Sequence, residues 1–151
     1  MSSENVDVNQ NIVGMGYILP KIRVQYPSFY KLTDGTILRV IVLLNYILPF
    51  PNKLDDYDIN STNIVSSFVP LEKRRPELFT PANALLNTDI IDEDVEYEVL
   101  KENFSVYDLT NGMVMSIKPV VGQVKKTKFY SIQGEPIYIT SINPIVKFKK
   151  S

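Results

Sequence analysis

The residues of this sequence that suggest a recognisable chemistry most directly are lysines followed by aromatic rings in the C-terminal third. Lysine ammonium groups bind phosphates, and aromatic rings beside them stack on bases, which is how small β-barrels bind single-stranded nucleic acid. The candidate nucleic-acid-binding residues are Lys125, Lys126, Lys128, Phe129, Tyr130, Lys147 and Lys149. The alternative is a solvent-exposed hairpin whose rings belong to the core. Clustering of the lysines on one face would favour nucleic-acid binding, and dispersal would favour a protein-interaction role.

A second charged segment, residues 88–98, is acidic, and carboxylates that converge on one point can bind Mg²⁺ or Ca²⁺. The segment lacks the glycine and the glutamate spacing of an EF-hand loop, so no metal site is predicted. Asp92, Asp94 and Glu96 alternate with Val95 and Tyr97, which places the carboxylates on one face of a strand. We expect a solvated outer face or a contact surface for a basic partner.

Aromatic residues are concentrated beside prolines in two segments that are typical of loops, residues 24–30 and 48–58. Exposed aromatic loops on a rigid sheet are common binding devices, because the rings offer a large apolar area and tyrosine adds a hydrogen-bonding tip. The candidate partner-binding residues are Tyr26, Phe29, Phe50, Tyr57, Asp92, Asp94 and Glu96. The competing interpretation is that these rings are part of a β core.

The chain contains no cysteine and no histidine. Disulfides, serine or cysteine nucleophiles paired with histidine, and zinc or iron–sulfur sites are therefore excluded for this chain alone. The six glycines are scattered, and no phosphate-binding glycine-rich loop is present. We predict a protein that is not an enzyme and that uses no cofactor, no metal and no small-molecule substrate.

The N-terminus and the apolar runs of the sequence bear on its location. Residues 1–11 are polar and lack the basic and apolar regions of a signal peptide. The longest apolar run, residues 40–50, is too short to span a bilayer and instead predicts a strand that is buried on both faces. We expect a cytoplasmic protein with no membrane contact. The frequent Ile, Lys, Tyr and Asn would suit an archaeal or viral genome.

The elements that must position these residues are strands, because Ile and Val number 16 each and β-branched side chains pack well on a pleated surface. Residues 30–40 and 107–117 resemble one another at an offset of 77 residues. Thr-Asp-Gly in the first and Thr-Asn-Gly in the second predict hairpins with type I′ turns. The copies differ at Pro119, which stands where the first copy has Val42 and predicts an interrupted strand.

The sequence therefore predicts an all-β, mainly antiparallel fold with one short linking helix, built as a pseudo-symmetric barrel or sandwich from two hairpin-led repeats. The predicted segments are a disordered N-terminal tail (1–11), a single β domain (12–151) made of two similar halves (about 12–70 and 88–150), and a linker (71–87). Residues 80–87 of the linker are expected to form the helix. Two separate small barrels are the alternative.

We expect this chain to be a non-catalytic β-rich interaction or scaffold protein, such as an accessory subunit of a larger assembly. A small single-strand nucleic-acid-binding β-barrel is the alternative function. Residues 76–100 carry seven acidic and no basic side chains, whereas residues 101–151 carry eight lysines and three acids. This separation also predicts self-association, in which the acidic segment of one chain meets the basic segment of another.

Overall fold

The computed structural model of the protein describes residues 3–81 and 87–150, which are mostly β. In chain order the strands are β1 (Pro20–Val24), β2 (Ser28–Leu32), β3 (Ile37–Pro49), β4 (Tyr57–Phe68), β5 (Ile90–Asp92), β6 (Tyr97–Lys101), β7 (Ser105–Leu109), β8 (Met113–Lys118), β9 (Val121–Tyr130), β10 (Pro136–Ile142) and β11 (Ile145–Lys150). The mainly antiparallel β class that the composition predicts is therefore confirmed.

The strands form three antiparallel sheets. Sheet A has the order β4–β3–β2–β6, sheet B has the order β1–β7–β8–β11, and sheet C has the order β10–β9–β5. Strand pairing within the described residues does not close any of these sheets into a barrel. No helix in this part of the chain is long and apolar enough to cross a membrane.

The N-terminal segment departs from the disordered tail that the sequence predicts. A helix, α1, runs over Ser3–Gly14. Its side chains from Val8 onward are exposed, except for that of Ile12, which is half-buried. A helix satisfies its own backbone hydrogen bonds within the segment, so this polar stretch adopts it without a neighbouring strand.

The two predicted hairpins are present as β2–β3 and β7–β8, but their turns are not of type I′. Only the glycines have positive φ, 90° at Gly35 and 85° at Gly112, as in a three-residue loop with a glycine bulge. The preceding side chain accepts a hydrogen bond from a backbone N–H two residues on, at 2.9 Å for Asp34 and 3.1 Å for Asn111. One short polar side chain and one glycine therefore set both turns.

Strands from the two halves of the chain are exchanged between sheets A and B. β1 belongs to the first half but pairs with β7 of the second, and β6 belongs to the second half but pairs with β2 of the first. Ile22 lies opposite Tyr107, and Val99 lies opposite Tyr30. Val99 follows Ile22 by 77 positions, and Tyr107 follows Tyr30 by the same number. Each half therefore supplies the outermost strand of the sheet that contains the other half's hairpin.

Two separate hydrophobic clusters fill the interior, and each contains residues from both halves. The first combines the end of β3 with β7 and β8, through buried Val42, Leu44, Ile47, Tyr107, Leu109, Met115 and Ile117 together with Ile18. The second combines β2 and the start of β3 with β9, through buried Tyr30, Leu32, Leu38, Val40, Val121 and Val124 together with Val95. Neither half could bury its apolar residues without the other.

Two tyrosine hydroxyls form hydrogen bonds that join the two halves. The Tyr107 hydroxyl donates to the Val42 carbonyl at 3.1 Å, and the Tyr30 hydroxyl lies 3.2 Å from the Pro119 carbonyl oxygen. Burial of the Tyr30 ring, together with its hydroxyl contact to Glu102, raises the pKa of Tyr30 above its ordinary value. The Tyr107 hydroxyl therefore satisfies a buried backbone carbonyl, whereas the one proton of the Tyr30 hydroxyl is shared between the Pro119 carbonyl and the Glu102 carboxylate.

The connector between the halves follows the surface in two 3₁₀ turns, Leu71–Lys73 and Pro76–Leu78. The Arg75 amide donates to the Gly134 carbonyl at 2.8 Å, which fixes the connector to the β9–β10 turn. The predicted helix at residues 80–87 lies mainly outside the described residues, since residues 82–86 are not among them. A 3₁₀ turn at Asn87–Asp89 leads into β5.

β3 is buried on one face only, whereas its apolar run predicts burial on both. Alternate residues Leu38, Val40, Val42 and Leu44 face the interior and are buried. The residues between them, Ile37, Arg39, Ile41 and Leu43, are half-exposed on the opposite face. No other described element packs over that face, so the second apolar stripe remains accessible to solvent.

Candidate protein-interaction surface

The lysines of β9 lie among carboxylates of the same chain. Lys125 Nζ is 3.4 Å from a Glu93 carboxylate oxygen, and Lys128 Nζ is 3.0 Å from a carboxylate oxygen of buried Asp89. Lys126 contributes to lowering the pKa of Asp34. Two lysines of β9 are therefore paired with carboxylates of the acidic segment within a single chain, because β5 pairs with β9.

Lys147 and Lys149 lie on β11 in sheet B, not beside β9 in sheet C. The sequence groups them with the β9 lysines, but the strand order separates the two sets. Phe129 and Tyr130, the predicted base-stacking rings, are half-buried, and Lys128 Nζ stands 5.7 Å from the Phe129 ring centroid. The seven predicted nucleic-acid residues are thus dispersed between two sheets.

A different lysine–aromatic group occurs in sheet B. Lys118 Nζ and Lys147 Nζ lie 5.0 and 4.8 Å from the ring centroid of Phe104. Lys147 is opposite Ser116 and Lys149 opposite Val114, so both lysines lie on the face away from buried Met115 and Ile117. The outer face of sheet B is therefore basic.

The predicted partner-binding residues occupy three places. Phe50 and Tyr57 line one open cleft of about 630 Å³ at the β3–β4 loop, whose tip residue Leu54 is 94% exposed. Tyr26 is exposed between β1 and β2, and Phe29 is half-buried on sheet A, opposite Arg39. Asp92, the last residue of β5, and Asp94 and Glu96, between β5 and β6, are exposed. These residues do not form one continuous site.

The longest strand edge without a hydrogen-bonded neighbour belongs to β4. On one side β4 pairs with β3, and within the described residues no strand pairs with its other side. From residue 59 to residue 68 the strand has neither a charged residue nor a proline. A long uncharged edge presents a row of N–H and C=O groups to any strand that approaches, and natural proteins normally protect such edges.

Four of the other five sheet edges are protected in the usual ways. β11 carries Lys147, Lys149 and Lys150; β1 begins with Pro20 and carries Lys21 and Arg23; β6 carries Glu98 and Lys101; and β5 is three residues long and ends in Asp92. Charges, prolines and short length all discourage edge-to-edge pairing. β10 begins with Pro136 but has neither a charge nor a proline over residues 137–142, so β4 is the longer of two uncharged edges among the described strands.

β4 is open on both faces at its centre. Ile64 lies opposite Ile41 on the outer face and is 42% exposed. Val65 lies opposite buried Val40 on the inner face, yet it is 39% exposed because no strand covers it from the free side. An approaching strand would therefore bury both side chains as well as the main chain.

The outer face of sheet A continues from this edge as an apolar stripe. Facing pairs in the register are Ile37 with Phe68 and Ile41 with Ile64, and Leu43 follows on the same face. Arg39 bridges the stripe, with its guanidinium carbon 5.5 Å from the Phe68 ring centroid. Contiguous exposed apolar surface beside a free edge indicates a protein contact.

The charges that flank β4 are segregated. Asp55 and Asp56 precede the strand and Asp58 is its second residue, whereas Lys73, Arg74 and Arg75 follow it in the connector. All six side chains are exposed. Each group contains opposite charges as well, since Lys53 Nζ lies 3.8 Å from an Asp56 carboxylate oxygen, and Glu72 and Glu77 flank the three cations, so the net charges are smaller than these residues alone give. The β4 edge is therefore a neutral segment with an acidic end and a basic end.

Two titratable side chains with shifted pKa values, Asp34 and Tyr138, contact each other in the part of the chain that the structure describes. That part contains no group of three or more acidic residues placed to hold a metal ion. Burial acts to raise the pKa of Asp34, but hydrogen bonds from Tyr138 and Thr36 outweigh it and leave that pKa below its usual value. Burial and the same Asp34 contact raise the pKa of Tyr138. This pair joins a turn to β10 and plays a structural part.

These features define a class, a mostly antiparallel β protein with a long uncharged edge strand, β4. Comparison of the chain with protein-family models, with curated proteins and with solved structures finds no match. The function has to be argued from the surface itself.

Proposed function

We propose that this chain is a non-catalytic interaction or scaffold protein of the cytoplasm, an accessory subunit that joins a larger assembly through the free edge of β4. The observation that carries the proposal is the uncharged run at residues 59–68, which is the longest on any edge strand of the described residues. A partner strand that adds to β4 would gain main-chain hydrogen bonds for affinity and side-chain contacts for specificity. Ile64 and Phe68 supply the apolar contacts beside that edge.

The proposal includes a pseudo-symmetric architecture of two hairpin-led repeats that have exchanged strands. It is supported by equal registers in the β1–β7 and β6–β2 pairs and by the paired tyrosine contacts to Val42 and Pro119. It is also supported by serine hydroxyls that accept from backbone N–H groups, Ser105 from Tyr26 at 3.0 Å and Ser28 from Asn103 at 3.1 Å. Such interlocked halves give the rigid support that a binding edge needs.

Replacement of Ile64 by lysine is expected to abolish partner capture. The lysine would place a charge on the outer face of the edge, which is how natural edge strands avoid pairing. Ile145→Lys is a matched control, because Ile145 lies on edge strand β11 and is 44% exposed, against 42% for Ile64. The measurement is affinity purification of the tagged chain from its native host, with bound proteins quantified by mass spectrometry.

Capture that is lost in Ile64→Lys and kept in Ile145→Lys would support the proposed function. Capture that is the same for both variants and the original chain would place the contact elsewhere and overturn the role of β4. Far-ultraviolet circular dichroism and thermal unfolding would show whether both variants are folded. We expect that they are, because both side chains are exposed.

Nucleic-acid binding is the second candidate, and the observation in its favour is the placement of Lys118 and Lys147 beside Phe104 in sheet B. If this surface binds single strands, fluorescence anisotropy of labelled oligomers should show affinity that falls by about tenfold or more between about 50 and 200 mM salt. The Lys118→Glu/Lys147→Glu variant should lose that binding. Absence of binding at low salt would remove this candidate and leave the first unaffected.

A further inference from the structure

The occupant that the β4 edge fits best is a second copy of this chain. We propose that β4 pairs antiparallel with β4 of another copy across a two-fold axis near Ile64, so that sheet A continues from one protomer into its partner. The inference rests on the proposed function, because it names the partner of the same edge. Three properties of β4 and its flanks support it.

The first property is closure. A two-fold contact uses the same surface on both protomers, so pairing β4 with itself leaves neither β4 edge open. Pairing β4 with a different edge of a second copy would leave one β4 free and would propagate into a filament. The charges on β1, β6 and β11 already disfavour that arrangement for three of the other edges.

The second property is the set of side chains that would meet. With Ile64 on the axis, each residue faces the residue that lies equally far on the other side of position 64. The facing pairs are then Ile64 with its own mate, Asn63 with Val65, Thr62 with Ser66, Ser61 with Ser67 and Asn60 with Phe68. No two charges meet, the hydroxyl residues face one another, and a β-branched pair occupies the centre, all of which favour cross-strand pairing.

The third property is charge complementarity at the two ends. In an antiparallel pair the residues that precede β4 in one protomer lie beside the residues that follow β4 in the other. Asp56 and Asp58 would therefore approach Lys73 and Arg74 of the second copy, and the same contact would recur at the opposite end. The acidic and basic flanks attract in this orientation, whereas a parallel pair would place like charges together.

Charge reversal gives a test that only an antiparallel self-pair passes. In Asp56→Lys/Asp58→Lys the reversed end would meet native lysine and arginine, and in Lys73→Glu/Arg74→Glu the native aspartates would meet glutamates. Each variant alone should dissociate at a concentration at least about tenfold higher than the original chain does. An equimolar mixture should recover the original affinity to within about threefold, because both ends of the mixed dimer again join opposite charges.

Sedimentation velocity over about 1–300 µM, a range suited to micromolar dissociation constants, measures these affinities. Dimers of the original chain that weaken in each variant and return in the mixture would establish the pairing. A monomer at every concentration, a dimer that is unaffected by either reversal, or species that grow beyond a dimer would each overturn it.

Cysteine cross-linking provides a second readout, and it is clean because the chain contains no cysteine of its own. Directly opposed residues in an antiparallel pair have Cα atoms about 4.5–5.5 Å apart, within the range of a disulfide. Single cysteines introduced one at a time at positions 62 to 66 should give one sharp maximum of disulfide dimer, expected at Ile64→Cys. Yields no higher than that of Ile145→Cys on β11 at all five positions would contradict the proposal.

The two proposals fail in distinguishable ways. A purified chain that stays monomeric, while Ile64→Lys still abolishes capture of a host protein, would overturn self-pairing and leave the interaction function standing. If purified Ile64→Lys and the original chain behave alike and capture is also unchanged, both proposals fall together.

Discussion

Replacement of Tyr107 by alanine is expected to lower the free energy of unfolding by about 3–5 kcal/mol, as is usual when a large buried ring is removed. Tyr107 is 1% exposed and packs in the first hydrophobic cluster, and its hydroxyl donates to the Val42 carbonyl. The substitution removes both the ring and the donor. Chemical denaturation with a fluorescence or circular-dichroism readout measures the loss.

Tyr30 provides a built-in comparison, because it is also 1% exposed and lies in the second cluster near the Pro119 carbonyl. Tyr30→Ala should lower the free energy of unfolding by a similar amount. Tyr107→Phe and Tyr30→Phe keep the rings and remove only the hydroxyl hydrogen bonds, which join Tyr107 to the Val42 carbonyl and Tyr30 to Glu102 and the Pro119 carbonyl. Each should lower the free energy of unfolding by about 1–2 kcal/mol. Losses below about 1 kcal/mol in both alanine variants would show that these rings do not hold the halves together.

Gly134→Ala is expected to destabilise the protein through a backbone collision. A Cβ atom at this position would lie 2.3 Å from the Pro76 nitrogen and 2.5 Å from two backbone atoms of Arg75, so the connector would have to move. That movement would also strain the hydrogen bond from the Arg75 amide to the Gly134 carbonyl. Positive φ, 82° here, adds the further cost of a left-handed conformation.

Gly112→Ala is the matched control, since Gly112 has φ of 85° but a Cβ atom there would have nothing within 4 Å. Its free energy of unfolding should fall only by the conformational cost of about 1–2 kcal/mol. The free energy of unfolding of Gly134→Ala should fall by at least twice that amount in the same denaturation experiment. Equal losses for the two variants would mean that the connector yields freely at Arg75 and Pro76.

The β class and the hairpin positions could be predicted from the sequence because they depend on local chemistry. Asp34-Gly35 and Asn111-Gly112 between apolar runs specify turns without reference to the rest of the molecule. The predicted turn type, I′, is nevertheless wrong, because only the glycines have positive φ. The exchange of β1 and β6 could not be predicted in this way. Five-residue strands carry no local signal that decides which hairpin they join. The exchanged pairing is accompanied by contacts between residues far apart in sequence, such as the hydrogen bond from the Asn103 N–H to the Ser28 hydroxyl.

The candidate site shows the same division between local and tertiary information. The absence of charge at residues 59–68 is visible in the sequence, but its meaning depends on β4 being an edge, which is a property of the strand order. The lysines near residue 126 predict nucleic-acid binding only while Asp89 and Glu93 are assumed to lie elsewhere. Strand pairing between β5 and β9 instead places these two carboxylates beside the lysines.

Amide hydrogen exchange along β4 tests directly whether this edge is where the protein binds. In an antiparallel strand alternate backbone N–H groups point towards β3, and the others point towards the free edge. We predict that the outward amides of residues 59–68 exchange quickly in dilute purified protein and slowly in the assembly recovered from the native host. The amides of β11 should not change. Equal exchange of the outward β4 amides in both samples, or new protection confined to sheet B, would contradict binding through β4.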